Sequence, residues 1–153
     1  GDDPVGPARQ RLAQLRDGGR GPHGGQLRER LRDLMMEKVG IYRKGPAMAE
    51  AVSALGALRQ EYRAVRAQDR AGRFNTDVLE ILELGNLLDL ALLTAAGAQA
   101  RTESRGGHAR EDFPQRDDQR WLKHTLAWLE GDSVRLGYKG VDVSVWQPKP
   151  RTY

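Results

Sequence analysis

Asn75-Thr-Asp-Val-Leu-Glu-Ile-Leu-Glu-Leu-Gly-Asn-Leu-Leu-Asp-Leu-Ala-Leu-Leu-Thr-Ala-Ala-Gly-Ala-Gln-Ala100 is the stretch whose reading decides the architecture. Val78, Ile81, Leu82, Leu84, Leu87, Leu88, Leu92 and Leu93 recur at helical spacing and cover much of the circumference. A helix apolar on so many sides is central, or sandwiched between layers. Asn75 suits the N-cap, and Asp77 and Glu80 suit the positive end of the helix dipole. Gly85 and Gly97 each carry a helix-propensity penalty of about 1 kcal/mol relative to Ala, which a close helix approach would offset.

Two amphipathic helices precede this one. Over residues 26–39, Leu27, Leu31, Leu34 and Met35 or Lys38 mark one face, Arg28, Glu29, Arg30, Arg32 and Asp33 turn outward, and Gly40 is a natural stop. The next begins at Pro46, whose fixed φ and missing N–H suit a first helical position. Met48, Val52, Leu55, Leu58, Tyr62 and Val65 trace its apolar stripe, which ends before Gly72. The fold class is therefore mainly α, an antiparallel three-helix, spectrin-repeat-like bundle over residues 26–100. Residues 1–25, with Gly18, Gly19, Gly21, Pro22, Gly24 and Gly25, read as a linker or tether. Within them 8–15 offers at most one or two helical turns, marginal without something to pack against.

Beyond residue 120 the period changes. Leu122, His124, Leu126 and Trp128 alternate with Lys123, Thr125 and Ala127, and Glu130-Gly-Asp-Ser133 has turn chemistry. Val134, Leu136 and Tyr138 alternate again, as do Val141, Val143 and Val145, while Pro148 and Pro150 bar the last segment from a central strand. A small antiparallel β hairpin or meander over 121–153 follows the bundle.

Composition limits what this fold does. The 153 residues are 39% hydrophobic and 30% charged, enough for one modest core, although a mean hydropathy of -0.67 points to polar stretches off the folded elements. Cys is absent, which removes disulfides, thiolate metal sites and a cysteine nucleophile. No run approaches the roughly 20 apolar residues of a membrane span. The net charge of +4 and the pI near 9.7 suggest nucleic acid, but the basic residues are interleaved with acids and are mostly Arg, which favours bidentate contacts with carboxylates. Protein docking is the better reading, and no nucleic-acid partner is expected.

The sequence offers no catalytic, cofactor-binding or metal constellation. A dinucleotide site needs a Gly-rich turn between a strand and a helix, and neither 18–25 nor Arg105-Gly106-Gly107-His108 provides one. His23, His108 and His124 are too scattered for a zinc pair. Asp112, Asp117 and Asp118 sit among Arg110, Arg116 and Arg120, so salt bridges rather than a cation are expected. Residues 101–120 remain, dense in alternating charge. Arg101, Glu103, Ser104, Arg105, Gly106, His108, Arg110, Asp112, Arg116, Asp117 and Asp118 read as a domain or subunit docking segment with forked Arg contacts. The competing reading is an internal ion-pair network closing the third helix against the strands. His108 is expected to complete a hydrogen-bond network rather than to titrate. Trp121, Trp128 and Trp146 fit either an interface or packing of the strands on the bundle.

These residues carry a resemblance. Leu34-Met-Met-Glu-Lys-Val-Gly-Ile-Tyr-Arg43, Phe74-Asn75, Leu82-Glu-Leu-Gly-Asn-Leu-Leu88, Glu103-Ser-Arg-Gly106 with His108, Arg110 and Asp112, Arg116-Asp-Asp118, Trp121-Leu-Lys-His-Thr125 and the terminal Arg151-Thr-Tyr153 resemble the carboxyl-terminal part of succinate dehydrogenase and fumarate reductase flavoprotein subunits. Only the first two dozen residues match weakly. Asp112-Phe-Pro114 and Trp121-Leu-Lys-His-Thr125 look more like succinate dehydrogenase. L-aspartate oxidase shares Glu-Ser-Arg-Gly-x-His but not the continuation.

The resemblance implies a C-terminal fragment of an enzyme that oxidises succinate to fumarate, or the reverse, on a covalently held FAD, and passes electrons through an iron-sulfur subunit to quinone. The flavin-binding and substrate-handling residues would lie upstream, so no catalytic residue and no cofactor are expected in this chain. Its implied partners are the FAD-binding domain of the same parent chain and the iron-sulfur subunit. The implied location is cytoplasmic, peripheral to the inner membrane within a membrane-anchored complex. A stand-alone helical adaptor for acidic partners is the alternative of another class.

Overall fold

The structure, a computed structural model, describes residues 3–16 and 21–149. Its elements in chain order are α1 (Gly6–Arg16), α2 (Gly24–Val39), β1 (Tyr42–Arg43), α3 (Gly45–Tyr62), α4 (Thr76–Ala100), β2 (Ala109–Arg110), α5 (Asp118–Trp121), β3 (Lys123–Glu130) and β4 (Ser133–Gly140). The expected bundle is formed by α2, α3 and α4, and the hairpin β3–β4 packs against α4.

The central helix starts as its sequence predicts. Asn75 Oδ1 accepts from the Val78 N–H at 3.0 Å, while its amide donates to the carbonyls of Asp69 and Ala71 at 2.8 and 3.0 Å. Asp77 in the first turn accepts from the N–H groups of Gln68 and Asp69 at 2.6 and 3.1 Å, which ties the incoming loop to the helix. The cap comes with strain beside it. Phe74 has φ of 54°, a left-handed backbone that disfavours a Cβ, and its ring is 100% exposed. Val78, Ile81, Leu84, Leu88, Ala91, Leu92, Ala95 and Ala98 are buried, but Leu79, Leu87 and Leu90 are exposed. The sequence predicts cover on more sides than the bundle supplies, because α2, α3 and the hairpin leave one strip of α4 uncovered.

Gly85 shows the expected close approach. A Cβ there would lie 2.4 Å from the Tyr62 hydroxyl, which donates to the Ile81 carbonyl at 2.9 Å. At Gly97 the nearest atom to a Cβ is a Thr125 methyl at 3.7 Å, ordinary contact, so Gly97 has no such requirement.

Three expectations need correction. The tether expected over residues 1–25 contains the 11-residue helix α1. Its Leu15 is fully buried, the Leu15 carbonyl accepts from the Ala67 N–H at 2.9 Å, and Arg11 lays its guanidinium 4.7 Å from the centroid of the Tyr62 ring. The packing surface that a short helix needs is thus present. Gly24 and Gly25, counted as breakers, begin α2, where His23 Nδ1 accepts from the Gly25 N–H at 3.2 Å. Gly18 and Gly19 lie outside the described residues.

Second, α3 ends at Tyr62, short of Val65, the last position of its expected stripe. The N–H groups of Arg63, Ala64 and Val65 turn back to the carbonyls three residues earlier, which tightens the helix end. Val65 and Ala67 are then buried from a loop rather than a helix face.

Third, of the hairpin and the meander the structure has the hairpin, and Val141, Val143 and Val145 form no strand. The sheet is a two-stranded hairpin whose register runs from Lys123↔Gly140 to Glu130↔Ser133. Asp142 accepts from the Ser144 N–H at 2.8 Å, bending the segment that would have to run straight. The hairpin turn has Gly131 at φ 62° followed by Asp132 with negative φ, the type II′ arrangement.

Candidate functional site

The charged segment is organised around two helix ends. The last carbonyls of an α-helix have no partner inside it and carry partial negative charge. At α4 that need is met by Arg110, which is buried and donates from Nη1 to the carbonyls of Ala98, Gln99 and Arg101 at 3.3, 3.0 and 2.9 Å. Its Nε and Nη2 hold Asp112 in a fork at 2.7 and 2.8 Å, and Asp112 also accepts from the Gly45 N–H at 2.9 Å. One ion pair therefore joins the end of α4 to the start of α3. The Arg110 fork holds the Asp112 carboxyl well below the usual range, against a smaller upward push from burial, with help from Gly45.

At α2 the same role falls to Arg43, whose Nε donates to the carbonyls of Val39 and Gly40 at 3.1 and 2.8 Å. Strands β1 and β2 pair in parallel with Arg43 opposite Arg110, so two cap-forming arginines sit side by side. His108 bridges Arg43 and the Arg101 carbonyl. Arg43 Nη1 is 2.8 Å from His108 Nδ1, and a guanidinium can only donate, so Nδ1 accepts. Nε2 therefore carries the proton and donates to the Arg101 carbonyl at 3.1 Å. Burial, and then the nearby Arg43, Arg110 and Arg101, lower the His108 pKa, outweighing the bond to Arg101.

The second focus is Glu103, whose side chain is 0% exposed. It receives Arg101, Arg105 through Nε and Nη2 at 2.8 and 2.9 Å, and the Asp117 N–H at 2.9 Å. Burial would raise the Glu103 pKa, but these donors, Arg105 first, outweigh it and lower the value. Arg105 reaches on to Asp118 at 2.6 Å, and Asp118 to Arg116 at 2.8 Å. Glu103, and then Asp118, raise the Arg105 pKa above its ordinary value. Asp117 caps α5 by accepting from the N–H groups of Gln119 and Arg120. Arg116 also donates to the Lys149 carbonyl at 2.7 Å and so ties down the tail.

Backbone turns make this chain of pairs possible. Arg105 and His108 exchange N–H···O bonds of 2.8 and 3.0 Å across a turn whose Gly106 has φ of 58°, where a side chain would be strained. Ser104 accepts from the Arg110 N–H at 2.8 Å and donates to the Phe113 carbonyl at 2.9 Å.

All eleven residues singled out in the sequence thus gather in one region. They form two joined clusters, one on Glu103 and one on Arg110, with His108 completing a hydrogen-bond network as expected. Sequence reasoning missed Arg43, which meets His108 from 65 positions away. The tryptophans divide. Trp121 is buried, donates to Thr102 Oγ1 at 3.1 Å and meets Tyr138 edge-on with centroids 5.8 Å apart. Trp128 lies over Gly137 with the Arg135 guanidinium 4.0 Å from its centroid, and Trp146 is 84% exposed. Among the described residues no helix is long and apolar enough to cross a membrane.

The chain is similar to known proteins in sequence and in fold. A family model described as the fumarate reductase flavoprotein C-term matches residues 28–153. The fumarate reductase flavoprotein subunit of Haemophilus influenzae is 41% identical over 129 residues, covering 84% of this chain and 22% of that protein. The mitochondrial succinate dehydrogenase flavoprotein subunit of Oryza sativa is 36% identical over 135 residues, covering 84% and 21%. Among solved structures, a quinol fumarate reductase chain of E. coli superposes with a TM-score of 0.89 at 36% identity, over 100% of this chain and 28% of that one. The chain spans between a fifth and a third of these relatives. It belongs to the family of C-terminal domains of succinate dehydrogenase and fumarate reductase flavoprotein subunits.

Proposed function

We propose that this chain is the C-terminal brace of a succinate dehydrogenase flavoprotein subunit, a packing and docking domain without catalytic residues of its own. In this reading the upstream part of the subunit binds FAD and interconverts succinate and fumarate. Electrons leave through an iron-sulfur subunit to quinone, in a complex on the cytoplasmic side of the inner membrane. The observation that carries the reading is the family match over 28–153 in a chain that spans only 22% of a full-length relative.

The two clusters suit a brace. Glu103 and Arg110 are buried and locked to helix ends and turns, so they give a stiff backing rather than a contact surface. The docking edge comprises two partly exposed groups, the Arg105–Asp118–Arg116 chain and the Lys44–Glu111 pair. Charges held in place by a rigid scaffold lose little conformational entropy when a partner arrives. In this reading both groups face the FAD-binding domain and the seat of the iron-sulfur subunit.

Fumarate reductase is the second reading, favoured by the 41% identity to such a subunit and the TM-score of 0.89. Asp112-Phe-Pro114 and Trp121-Leu-Lys-His-Thr125 tip the proposal to succinate dehydrogenase. A native extract probed with an antibody against this segment tests the shared part. A band several times larger than 17.1 kDa, co-migrating with succinate-dependent dye reduction, is expected. A band at that mass alone overturns the proposal in favour of a stand-alone adaptor.

A further inference from the structure

Between the turn 105–108, the start of β3 and the tail 141–148 lies an open groove of about 590 Å³. The charged residues lining it are Arg101, Arg105 and Lys123, with His108 and His124 beside them and no carboxylate in the lining. Two of these charges are already met from beneath, since Glu103 holds Arg101 and Arg105. Lys123 is not. Its ammonium rests 4.1 Å from the centroid of Tyr138 and 4.9 Å from that of Trp121, and no carboxylate among the described residues pairs with it. Aromatic faces steady a cation but accept none of its three N–H bonds well.

The opposite wall is apolar. Val141, Val143 and the exposed indole of Trp146 line it from a tail that belongs to no strand. An occupant must therefore supply an acceptor at Lys123 and apolar groups a few ångströms away. A helix, about 10 Å across with its side chains, is too wide for so small a volume. An extended strand places alternate side chains on opposite faces, which matches a basic floor beside an apolar wall.

Resting on the reading of the chain as a docking domain, we propose that this groove receives an extended acidic segment from another part of the flavoprotein assembly, with a carboxylate on Lys123 and an apolar side chain against Trp146. Such a contact is charge-assisted and partly shielded from water, so the loss of its cation weakens association measurably.

Zero-length carbodiimide cross-linking of the intact native complex, with mass mapping, tests this. Lys123 is expected to join an Asp or Glu outside residues 1–153, and to acylate at least several-fold more slowly than exposed Lys139 until the assembly is dissociated by salt. Lys123→Arg should assemble normally and lose the cross-link, whereas Lys123→Glu should weaken association by about tenfold. A Lys123 that acylates equally before and after dissociation overturns the proposal. Protection without any carboxylate cross-link also overturns it, in favour of a small anion or an apolar cover. Neither result touches the proposed function, which instead fails if the native polypeptide is found at 17.1 kDa.

Discussion

Arg110 satisfies three helix-end carbonyls and one carboxylate from a buried position, so truncating it leaves several groups unpaired at once. Arg110→Ala is expected to cost about 3–5 kcal/mol, the range for breaking a buried pair, read as a lower urea midpoint at unchanged slope. Arg110→Lys keeps the charge but not the fork, and is expected to fall between the two. His108 adds a pH effect of definite sign. Because its folded pKa is lowered, the unfolded chain takes up the proton first. Its contribution is therefore complete above the unfolded value near ~6.5 and is lost as pH falls below it. His108→Gln is expected to flatten the stability profile between about pH 7 and 5 while leaving the acid loss due to Glu103 and Asp112 at lower pH. Equal slopes in both proteins would remove His108 from the account. At this scale the sequence was informative about which residues matter, because buried Arg and Glu within so dense a run had to meet. It was silent about Arg43, whose contact exists only once β1 and β2 pair.

Among the elements, α4 and the hairpin were legible because their periods are strong, and the ends of α1 and α3 were not. Val65 continues a helical stripe in sequence, yet it is buried from a loop, since hydrophobic spacing records burial rather than backbone conformation. The helix α1 is weakly amphipathic and is held by Leu15 and Arg11 against a surface that exists only in the folded bundle. Gly85 was suspected for the right reason. A methyl group there collides with Tyr62, which must give up its bond to Ile81 and its contact with Arg11. Gly85→Ala is expected to destabilise by about 1–3 kcal/mol despite the better helix propensity of Ala. In a Tyr62→Leu background the penalty should shrink towards zero, and an undiminished penalty would place the cause elsewhere. The missing third strand has a local cause, since the Asp142 turn breaks an alternation that three valines advertise.

For the whole molecule, the proposed division of labour gives a plain expectation. Purified alone, the 153-residue chain should be colourless and should not reduce a dye with succinate. Stoichiometric flavin retained after dialysis would contradict this. The family was legible from motifs spread over most of the chain, and the choice between the two named reactions was not. Under the proposed function, oxidation and reduction of the same pair of acids use one upstream site, so a supporting domain is under no pressure to record the direction. The exposed strip Leu79, Leu87 and Leu90 on α4 belongs to this scale too, since a helix patterned for cover on more sides has fewer covered within this chain.

The ion pair that bridges the last carbonyls of α4 and the first N–H of α3 acts as a datum point. Both helices are measured from it, and any slack accumulates at the far end, in the irregular stretch 63–75. A length change there alters only how far the loop extends, whereas one extra residue late in α4 would rotate its final carbonyls by about 100° away from their shared arginine. Divergence between relatives can therefore collect at the loop end of the bundle, while the opposite end keeps its dimensions.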